Sequence, residues 1–430
     1  MKTKYLSLLL FFLTASSVSS QSLNLRISAY MYNRQGADSI NSDSKTNYLS
    51  SYQNALVEVS KDNWSFNTLI QTEEDANNDV NGGFGYRFYN MYIKGTNLYK
   101  MIDVKLGRQY LFTGVGKGAI DGAMLKLKAG KNKEYQISGY AGAITPLSYE
   151  FSGYKSLNNN FILGGVFSYY GVRDLTASIS YMNKRYKPES YTTSRIDSAL
   201  LTEQTEISFD SRADQLMGLD FNYTYLKKHK FFGKAYFDIN NFNTLYKGEF
   251  NANFSVNKEL KLSLMYEYNE PQISFNSIFW TFAHYQNQEV GGGIDYLLKN
   301  GINLYGNISN VFFENDNSLK FQVGFNNPGY GLSYTQYTGY AGVSYGANGY
   351  LYRELIKAKL SCNLGLNYSN YSLGNYSSGF NKAFSGLLGI TYRPDPQISI
   401  DIQGQLITNS IYQYDTRILA GINYRLFKKF

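Results

Sequence analysis

The sequence predicts an all-β protein whose strands cross a membrane as one closed antiparallel β-barrel, with an even number of about 18 to 22 strands. Three observations predict this class. Short runs of alternating apolar and polar residues recur along the chain, aromatic residues and glycine are abundant, and long apolar runs are missing. The 430 residues include 42 Tyr, 28 Phe and 39 Gly but only 6 Pro. This composition favours strands and tight turns over helices.

The first twenty residues differ from the rest of the chain. Two lysines precede the apolar run YLSLLLFFL, and small residues follow it. This order is typical of a secretory signal peptide, and we expect cleavage before Gln21. A membrane anchor would need about 20 apolar residues, more than the run contains. We therefore expect residues 1–20 to be a signal peptide and residues 21–430 to form a single transmembrane β-barrel domain.

Alternation of period two is the main structural signal after the leader. The mean hydropathy is −0.35, and no later stretch is apolar enough for a membrane-spanning helix. In LIKAKLSCNLGLNY, apolar residues from Ile356 to Tyr368 share one parity, and Lys357 and Lys359 lie on the other. At about 3.3 Å per residue this stripe would cover an apolar band of about 25 Å. Similar stripes lie at 23–31, 175–181, 260–268 and 398–406.

The links between the strands favour a barrel over a soluble β-sandwich, whose strands would alternate in the same way. Short polar links such as KDN, GTN, GKNK, KKHK, NKE, KNG and RPDP take turns with longer ones. The longer set includes 33–47, 73–83, 145–159, 187–213 and 269–288. Short turns at one rim and long loops at the other are typical of barrels in the outer membrane. The Gly- and Tyr-rich segment 330–355 could hold two strands or a loop.

The C-terminal strand carries a further signal. Its residues of one parity are Ala420, Ile422, Tyr424, Leu426 and Phe430, and the last of these ends the chain. With the leader and the alternating strands, this segment resembles that of porin-type β-barrels in the outer membrane of Gram-negative bacteria. The resemblance implies that Tyr424, Leu426 and Phe430 form a signal read by the barrel-assembly machinery. It also implies contact with outer-membrane lipid and lipopolysaccharide. Lys428 departs from the pattern, and we interpret it as an interfacial lysine.

The segment VKLGRQYL resembles the Leu-Gly-Arg-Gln strand of several porin-like proteins, in which an arginine can point at the pore. Parity with Val104 and Leu106 places Arg108 on the lipid side, unless Gly107 marks a β-bulge that turns it inward. An interfacial arginine at the strand end is the alternative interpretation.

Charged residues of the opposite parity are candidates for the lining of the lumen. The candidates are Arg26, Lys105, Lys126, Lys128, Lys357, Lys359, Asp401, Arg417 and Arg425, and Arg108 joins them if Gly107 marks a bulge. Inward acids are also expected, among them Glu58, Asp103, Asp220 and Glu249. Loss of the two leader lysines lowers the formal charge of +8 by two. A weak anion preference is one hypothesis, because lining charges tune selectivity. Pairing of these charges within the wall is the other.

The sequence offers little material for catalysis or metal binding. The two histidines, His229 and His284, stand apart, and Cys362 is the only cysteine. No histidine is placed beside a nucleophile on rigid strands, and no cluster has metal-ligand spacing. The acidic segment from Glu73 to Asp79 could hold Ca²⁺, although a solvated loop is the simpler interpretation. GVGKG lacks the setting of a phosphate-binding loop.

Two functions therefore agree with the sequence. The first is a passive or weakly selective outer-membrane channel for small polar or anionic solutes, with no cofactor, no enzymatic activity and no nucleic-acid partner. The second is a binding or scaffold barrel that sheaths an electron-carrying partner, exports a polymer or displays adhesive loops. A barrel of this strand number cannot be filled by its wall side chains, so we expect infolded loops to narrow the lumen.

Overall fold

The structure is a computed structural model that describes most of the chain after the leader. The described residues are 22–38, 45–75, 85–152, 154, 156–187, 190–196, 202–208, 213–240, 244–271, 285–314, 316–339, 342–373 and 379–430. Within these ranges every regular element is a β-strand, and none contains a helix that is long and apolar enough to span a membrane. The expected signal peptide lies outside the described residues.

Among the described residues, twenty-four strands follow one another. The first twelve are β1 (Ser22–Asp38), β2 (Lys45–Lys61), β3 (Trp64–Asp75), β4 (Gly85–Leu98), β5 (Ile102–Thr113), β6 (Gly116–Ala129), β7 (Tyr135–Ile144), β8 (Asn160–Tyr169), β9 (Leu175–Tyr186), β10 (Tyr191–Ile196), β11 (Thr202–Ile207) and β12 (Asp214–Tyr225). The others are β13 (His229–Asp238), β14 (Thr244–Ser255), β15 (Leu260–Asn269), β16 (Asn287–Leu297), β17 (Asn303–Phe313), β18 (Asp316–Asn326), β19 (Tyr330–Gly339), β20 (Gly342–Ile356), β21 (Leu360–Leu373), β22 (Asn381–Asp395), β23 (Ile398–Thr408) and β24 (Tyr412–Lys429).

Twenty-two of these strands form one antiparallel sheet that closes on itself. Each barrel strand pairs with its neighbours in sequence, β9 pairs with β12, and β24 returns to pair with β1. Strands β10 and β11 form a separate hairpin between β9 and β12. The predicted fold class, the even strand number and the expected range are therefore confirmed. The segment 330–355 forms two paired strands, β19 and β20.

The two rims of the barrel differ in their connections. One rim, which we call the terminal rim, carries both ends of the described chain and only turns of two to five residues, such as Asp62–Asn63. The opposite rim, the loop rim, carries all the long connections. The predicted sorting was too strict, because the loop rim also has short links, such as the one between β5 and β6. The link predicted at GTN lies slightly later, at 99–101.

The outer face of the wall is apolar and the inner face is polar. On β15, Leu264 points outward and is 55% exposed, whereas its neighbours Ser263 and Met265 belong to the inward parity. Exposed outward side chains such as Ile308 and Ile402 recur around the circumference. The barrel strands are 10 to 18 residues long, and about 9 to 11 residues suffice to cross a membrane.

The predicted apolar stripe from Ile356 to Tyr368 is shorter than expected. Residues 357–359 form the turn between β20 and β21, so β21 begins at Leu360. Five outward positions of this strand remain from Leu360 to Tyr368. The turn arises because Ala358 adopts a left-handed backbone with φ of 58°, while its amide donates a hydrogen bond to Glu354 at 2.6 Å.

Candidate translocation path

The lumen is narrowed by the tip of the β5–β6 hairpin. Pairing between β4 and β5 stops at Arg108, and pairing between β6 and β7 stops at Ile120. The hairpin continues beyond both points and leaves the wall. Its tip residue Val115 donates its amide to Ser180 Oγ on β9, at 3.2 Å. Ser180 alternates with the exposed outward residues on either side of it, so the tip reaches the inner face of the barrel.

Apolar packing holds the tip against this inner face. The hairpin contributes the side chains of Leu111, Val115 and Ile120 to one buried cluster, which also contains inward residues of β7 to β9, β12 and β13. The wall members are Tyr140, Ile162, Met182, Leu216 and Tyr236. Val115 is 3% exposed and Ile120 is fully buried. Burial of each such aliphatic side chain stabilises the packed hairpin by about 1.5–3 kcal/mol.

Glycine permits the departure of the hairpin from the wall. Gly107 on β5 has φ of +123° and Gly118 on β6 has φ of +143°, a region that side-chain-bearing residues rarely adopt. The register of β5 with both neighbours runs through Gly107 without a shift. At Gly107 the strand β5 therefore changes direction, and the predicted β-bulge is not present there.

Arg108 is buried where the hairpin leaves the wall, and neither predicted placement is correct. Its side chain is fully buried, so it lines neither the lumen nor the lipid interface. Its Nε donates to Asp121 Oδ1 at 2.8 Å, and its Nη2 donates to Asp121 Oδ2 at 3.0 Å. The same Nη2 donates to the Tyr154 hydroxyl at 2.7 Å. Burial and a hydrogen bond to Asp121 raise the pKa of Tyr154 above its usual range.

The loop between β7 and β8 takes the place of the hairpin in the wall. The Phe88 amide of β4 donates to the Tyr149 carbonyl of this loop at 3.0 Å. Arg108 donates to the carbonyls of both residues and to that of Glu150, and its guanidinium lies 4.2 Å from the ring centre of Phe151. One buried arginine therefore joins the hairpin, β4 and the loop.

Near the terminal rim, a group of basic side chains faces the lumen. Arg26 and Arg425 are direct partners in the pairing of β1 with β24, and both are exposed. On the neighbouring part of the wall, Lys94 and Lys105 are also direct partners, with Lys126 close by on β6. Among the described residues none of these five forms an ion pair. The sequence-based set lacked Lys94, although its parity would have included it.

Other predicted lumen charges form ion pairs or accept hydrogen bonds within the wall. Lys128 Nζ lies 2.6 Å from Asp103 Oδ2, and Lys234 pairs with Glu249. Asp401 accepts hydrogen bonds from Thr391 at 2.6 Å and from Asn423 at 2.7 Å. The remaining predicted acids also belong to the inward parity: Glu58, opposite Asn24, and Asp220, which accepts from the Tyr236 hydroxyl at 2.9 Å.

At the loop rim, Arg417 shares one buried carboxylate with a second arginine. Arg417 Nη2 lies 2.8 Å and Arg34 Nη2 lies 3.1 Å from Asp415 Oδ2. Asp415 is completely buried, whereas both arginine side chains are about one third exposed. The cluster therefore presents one net positive charge to the inside of the barrel. Arg34 and Asp415 were not predicted, and both lie on the inward parity of their strands.

Lys357 and Lys359 do not line the lumen wall. Both lie in the turn between β20 and β21 and are exposed at the terminal rim. The prediction was wrong because continuous alternation concealed a turn that contains neither Gly nor Pro.

The C-terminal residues lie at the terminal rim. Tyr424 and Leu426 belong to the outward parity of β24, and Leu426 packs with Leu25 and Val57. Phe430 is 53% exposed, and Lys428 Nζ lies 4.9 Å from the centre of its ring.

The histidines and acidic loop residues form no recognisable reactive site in the described part of the chain. His229 begins β13 and lies between the rings of Tyr225 and Phe254, with centroid distances of 6.2 and 6.0 Å. Glu73 pairs with Arg87 at 3.0 Å. The described residues contain no group of three possible metal ligands. His284 and Asp79 lie outside the described residues.

The lumen is narrowed by an infolded segment, as expected, but the sequence did not identify which segment it is. The glycine-rich GVGKG, which lacks the setting of a phosphate-binding loop, is the end of this hairpin. The combination of clustered glycines with a break in alternation after Gly107 was the available signal.

The strand number, the closure and the two faces decide the architecture. It is a closed 22-stranded antiparallel β-barrel with an apolar outer face and a polar inner face, as in β-barrels that cross a membrane. No family model and no curated protein matches the chain. Solved structures similar to it include OpdQ of Pseudomonas aeruginosa, with 10% identity, a TM-score of 0.44, and coverage of 94% of this chain and 98% of that chain. Acinetobacter baumannii OccAB4 shows 9% identity, a TM-score of 0.45, and coverage of 95% and 99%. A BenF-like porin from Pseudomonas fluorescens Pf-5 shows 9% identity, a TM-score of 0.43, and coverage of 95% and 98%.

Proposed function

We propose that the protein is an outer-membrane channel for the passive or weakly selective passage of small polar solutes. The observation that carries the proposal is the one-sided position of the infolded hairpin. Its tip packs on β7 to β9, β12 and β13, while inward residues elsewhere, such as Asn307 and Asn348, remain exposed. A barrel of 22 strands is too wide for its wall side chains to fill. The hairpin thus narrows a water-filled path without filling it.

The apolar outer face and the leader-like residues 1–20 support an outer-membrane location with the terminal rim in the periplasm. In this orientation the long connections face the outside of the cell. Solutes then meet the loop rim first, pass the hairpin tip and leave along the basic side chains near the terminal rim.

A weak preference for anions is part of the proposal. Arg26, Arg425 and the three lysines on β4 to β6 face the path without ionic partners in the described residues. Several inward acids are paired, as the contacts of Asp103 and Glu249 illustrate. Charges that line a narrowed path favour the opposite ion, and the effect weakens as salt rises.

Planar-bilayer recordings in a salt gradient test the proposal. We expect an open channel whose reversal potential indicates anion preference, and we expect Arg26→Gln with Arg425→Gln to shift it toward neutrality. The matched control is Arg173→Gln with Arg353→Gln, because Arg173 lies in an exposed turn and Arg353 belongs to the outward parity. Cation selectivity, or an equal shift in the control, would contradict the anion preference. Absence of conductance would contradict the channel and favour the scaffold alternative.

A further inference from the structure

A second feature of the lumen is a cavity in the inner wall, close to the loop rim. It has a volume of about 430 Å³ and lies at the loop-rim ends of β15 to β21. This volume falls within the range of about 300–1,000 Å³ that is typical of small-molecule sites. Its lining includes Asn269, Asn287, Glu289, Lys320, Tyr337 and Tyr371. The cavity lies across the lumen from the basic side chains of β4 to β6.

The two charged residues of the cavity neutralise each other. Lys320 Nζ lies 2.6 Å from Glu289 Oε2, and the Ser309 hydroxyl donates to Glu289 Oε1 at 2.7 Å. Because both carboxylate oxygens have partners, the cavity offers neither a free cation for an anionic solute nor a free anion for a cationic one. This ion pair therefore gives the cavity no preference for an ionic ligand.

The other lining groups are neutral and suited to hydroxyl groups. Asn287 and Ser344 contribute an amide and a hydroxyl, and two tyrosines contribute ring faces with polar tips. In the described part of the chain, the hydroxyls of Tyr337 and Tyr371 have no hydrogen-bond partner, and Tyr337 is 40% exposed. Amides and hydroxyls both donate and accept, as the hydroxyl groups of a polyol do. Aromatic faces accommodate the C–H surface of the same ligand.

We infer that this cavity binds a neutral saccharide, which it captures at the loop rim before the solute reaches the hairpin tip. The inference deepens the proposed function by naming a solute class, but binding itself does not require an open path. The basic side chains on the other side of the lumen then leave saccharides unaffected and act on ionic solutes alone.

Calorimetric titration of the purified barrel in detergent with maltose tests the inference. We expect binding to the unmodified protein and binding weaker by at least about ten-fold after Tyr337→Ala with Tyr371→Ala, since two aromatic contacts are lost. The control is Tyr32→Ala with Tyr305→Ala, because both tyrosines belong to the inward parity but do not line this cavity. Heat-modifiable migration on detergent gels verifies that each variant is folded. Tyr337→Phe with Tyr371→Phe keeps the rings and serves if the alanine variant does not fold.

Titrations with glutarate and with glutamine complete the experiment. The inference is overturned if maltose does not bind, if it binds the alanine variant as tightly as the unmodified protein, or if either of these ionic solutes replaces it in the cavity. Bilayer recordings separate this result from the proposed function. Maltose binding without any current supports the site and contradicts the channel, whereas current without maltose binding supports the channel and contradicts the site.

Discussion

At the residue scale, Arg108 illustrates how one charge can be stabilised in a membrane protein without lining the pore. Its guanidinium is buried, and Asp121, Tyr154 and three backbone carbonyls satisfy its donors. A buried ion pair of this kind contributes little net stability when compared with apolar residues. Removal of one partner is costly, however, because the other charge stays buried. Arg108 therefore links the hairpin to β4 and to the β7–β8 loop at the point where the hairpin leaves the wall.

We expect Arg108→Met to loosen the β5–β6 hairpin and to destabilise the barrel by about 3–5 kcal/mol, because the carboxylate of Asp121 loses its ionic partner. Urea unfolding in lipid vesicles measures the stability, and hydrogen exchange of residues 109–119 measures the hairpin. The double variant Arg108→Met with Asp121→Leu should recover much of the loss. Arg173→Gln, a change at an exposed turn arginine, is the control. Unchanged exchange in Arg108→Met would refute the assigned role.

At the element scale, the same hairpin serves as wall near the terminal rim and as constriction near the loop rim. Its two halves differ in what they pack against. The half near the terminal rim pairs with β4 and β7. The tip, near the loop rim, packs on side chains that face the lumen. The tip is thus held by apolar contacts and by few hydrogen bonds to the wall. A single charge in those contacts should be enough to release it.

Val115→Asp should release the tip and raise the single-channel conductance several-fold, because an unpaired carboxylate is not tolerated in the apolar cluster. Phe112→Asp is the matched control, since Phe112 is on the same hairpin but is 81% exposed. Bilayer recordings of both variants decide the question. Equal conductance of the Val115 variant and the unmodified protein would show that the tip does not limit the path.

The last strand, β24, allows a separate prediction about assembly, which rests on the resemblance to porin-type barrels. Phe430→Ala should lower the yield of folded protein in the outer membrane, whereas Phe427→Ala should not. Both rings are exposed near the terminal rim, but Phe427 belongs to the inward parity of β24 and Phe430 follows its outward parity. The yields of the two variants are compared by quantification of heat-modifiable protein in membrane fractions. Equal yields would contradict a role of Phe430 as the assembly signal.

At the scale of the whole molecule, the barrel separates two environments with a wall one strand thick. Each outward residue faces lipid and the next residue faces the lumen, so substitutions at adjacent positions should differ sharply. The inner wall is itself divided: basic side chains lie on β24, β1 and β4 to β6, and neutral amide and hydroxyl groups dominate the cavity on β15 to β21. This division would let one lumen treat ionic and neutral solutes differently.

Leu264→Arg should destabilise the barrel by about 2–4 kcal/mol, because an arginine would then face the middle of the membrane. Ser263→Arg at the adjacent inward position should have a much smaller effect, since its side chain can reach water in the lumen. Urea unfolding in lipid vesicles provides the comparison. Similar losses in the two variants would contradict the assignment of faces on β15.

The sequence by itself determined the alternation, and with it the barrel, the even strand number, the two faces and the parity of Arg26, Lys105, Lys126 and Arg425. These features depend on neighbours along a strand, because the period of two is a local property of an extended chain. Alternation was less reliable at Lys357 and Lys359, because the turn that contains them continues the alternation of apolar and polar residues. Only the tertiary structure decided the burial of Arg108, the shared carboxylate of Asp415, the infolded tip and the polar cavity. Each of these depends on contacts between side chains of different strands or loops, and a local pattern contains no information about which of these side chains meet.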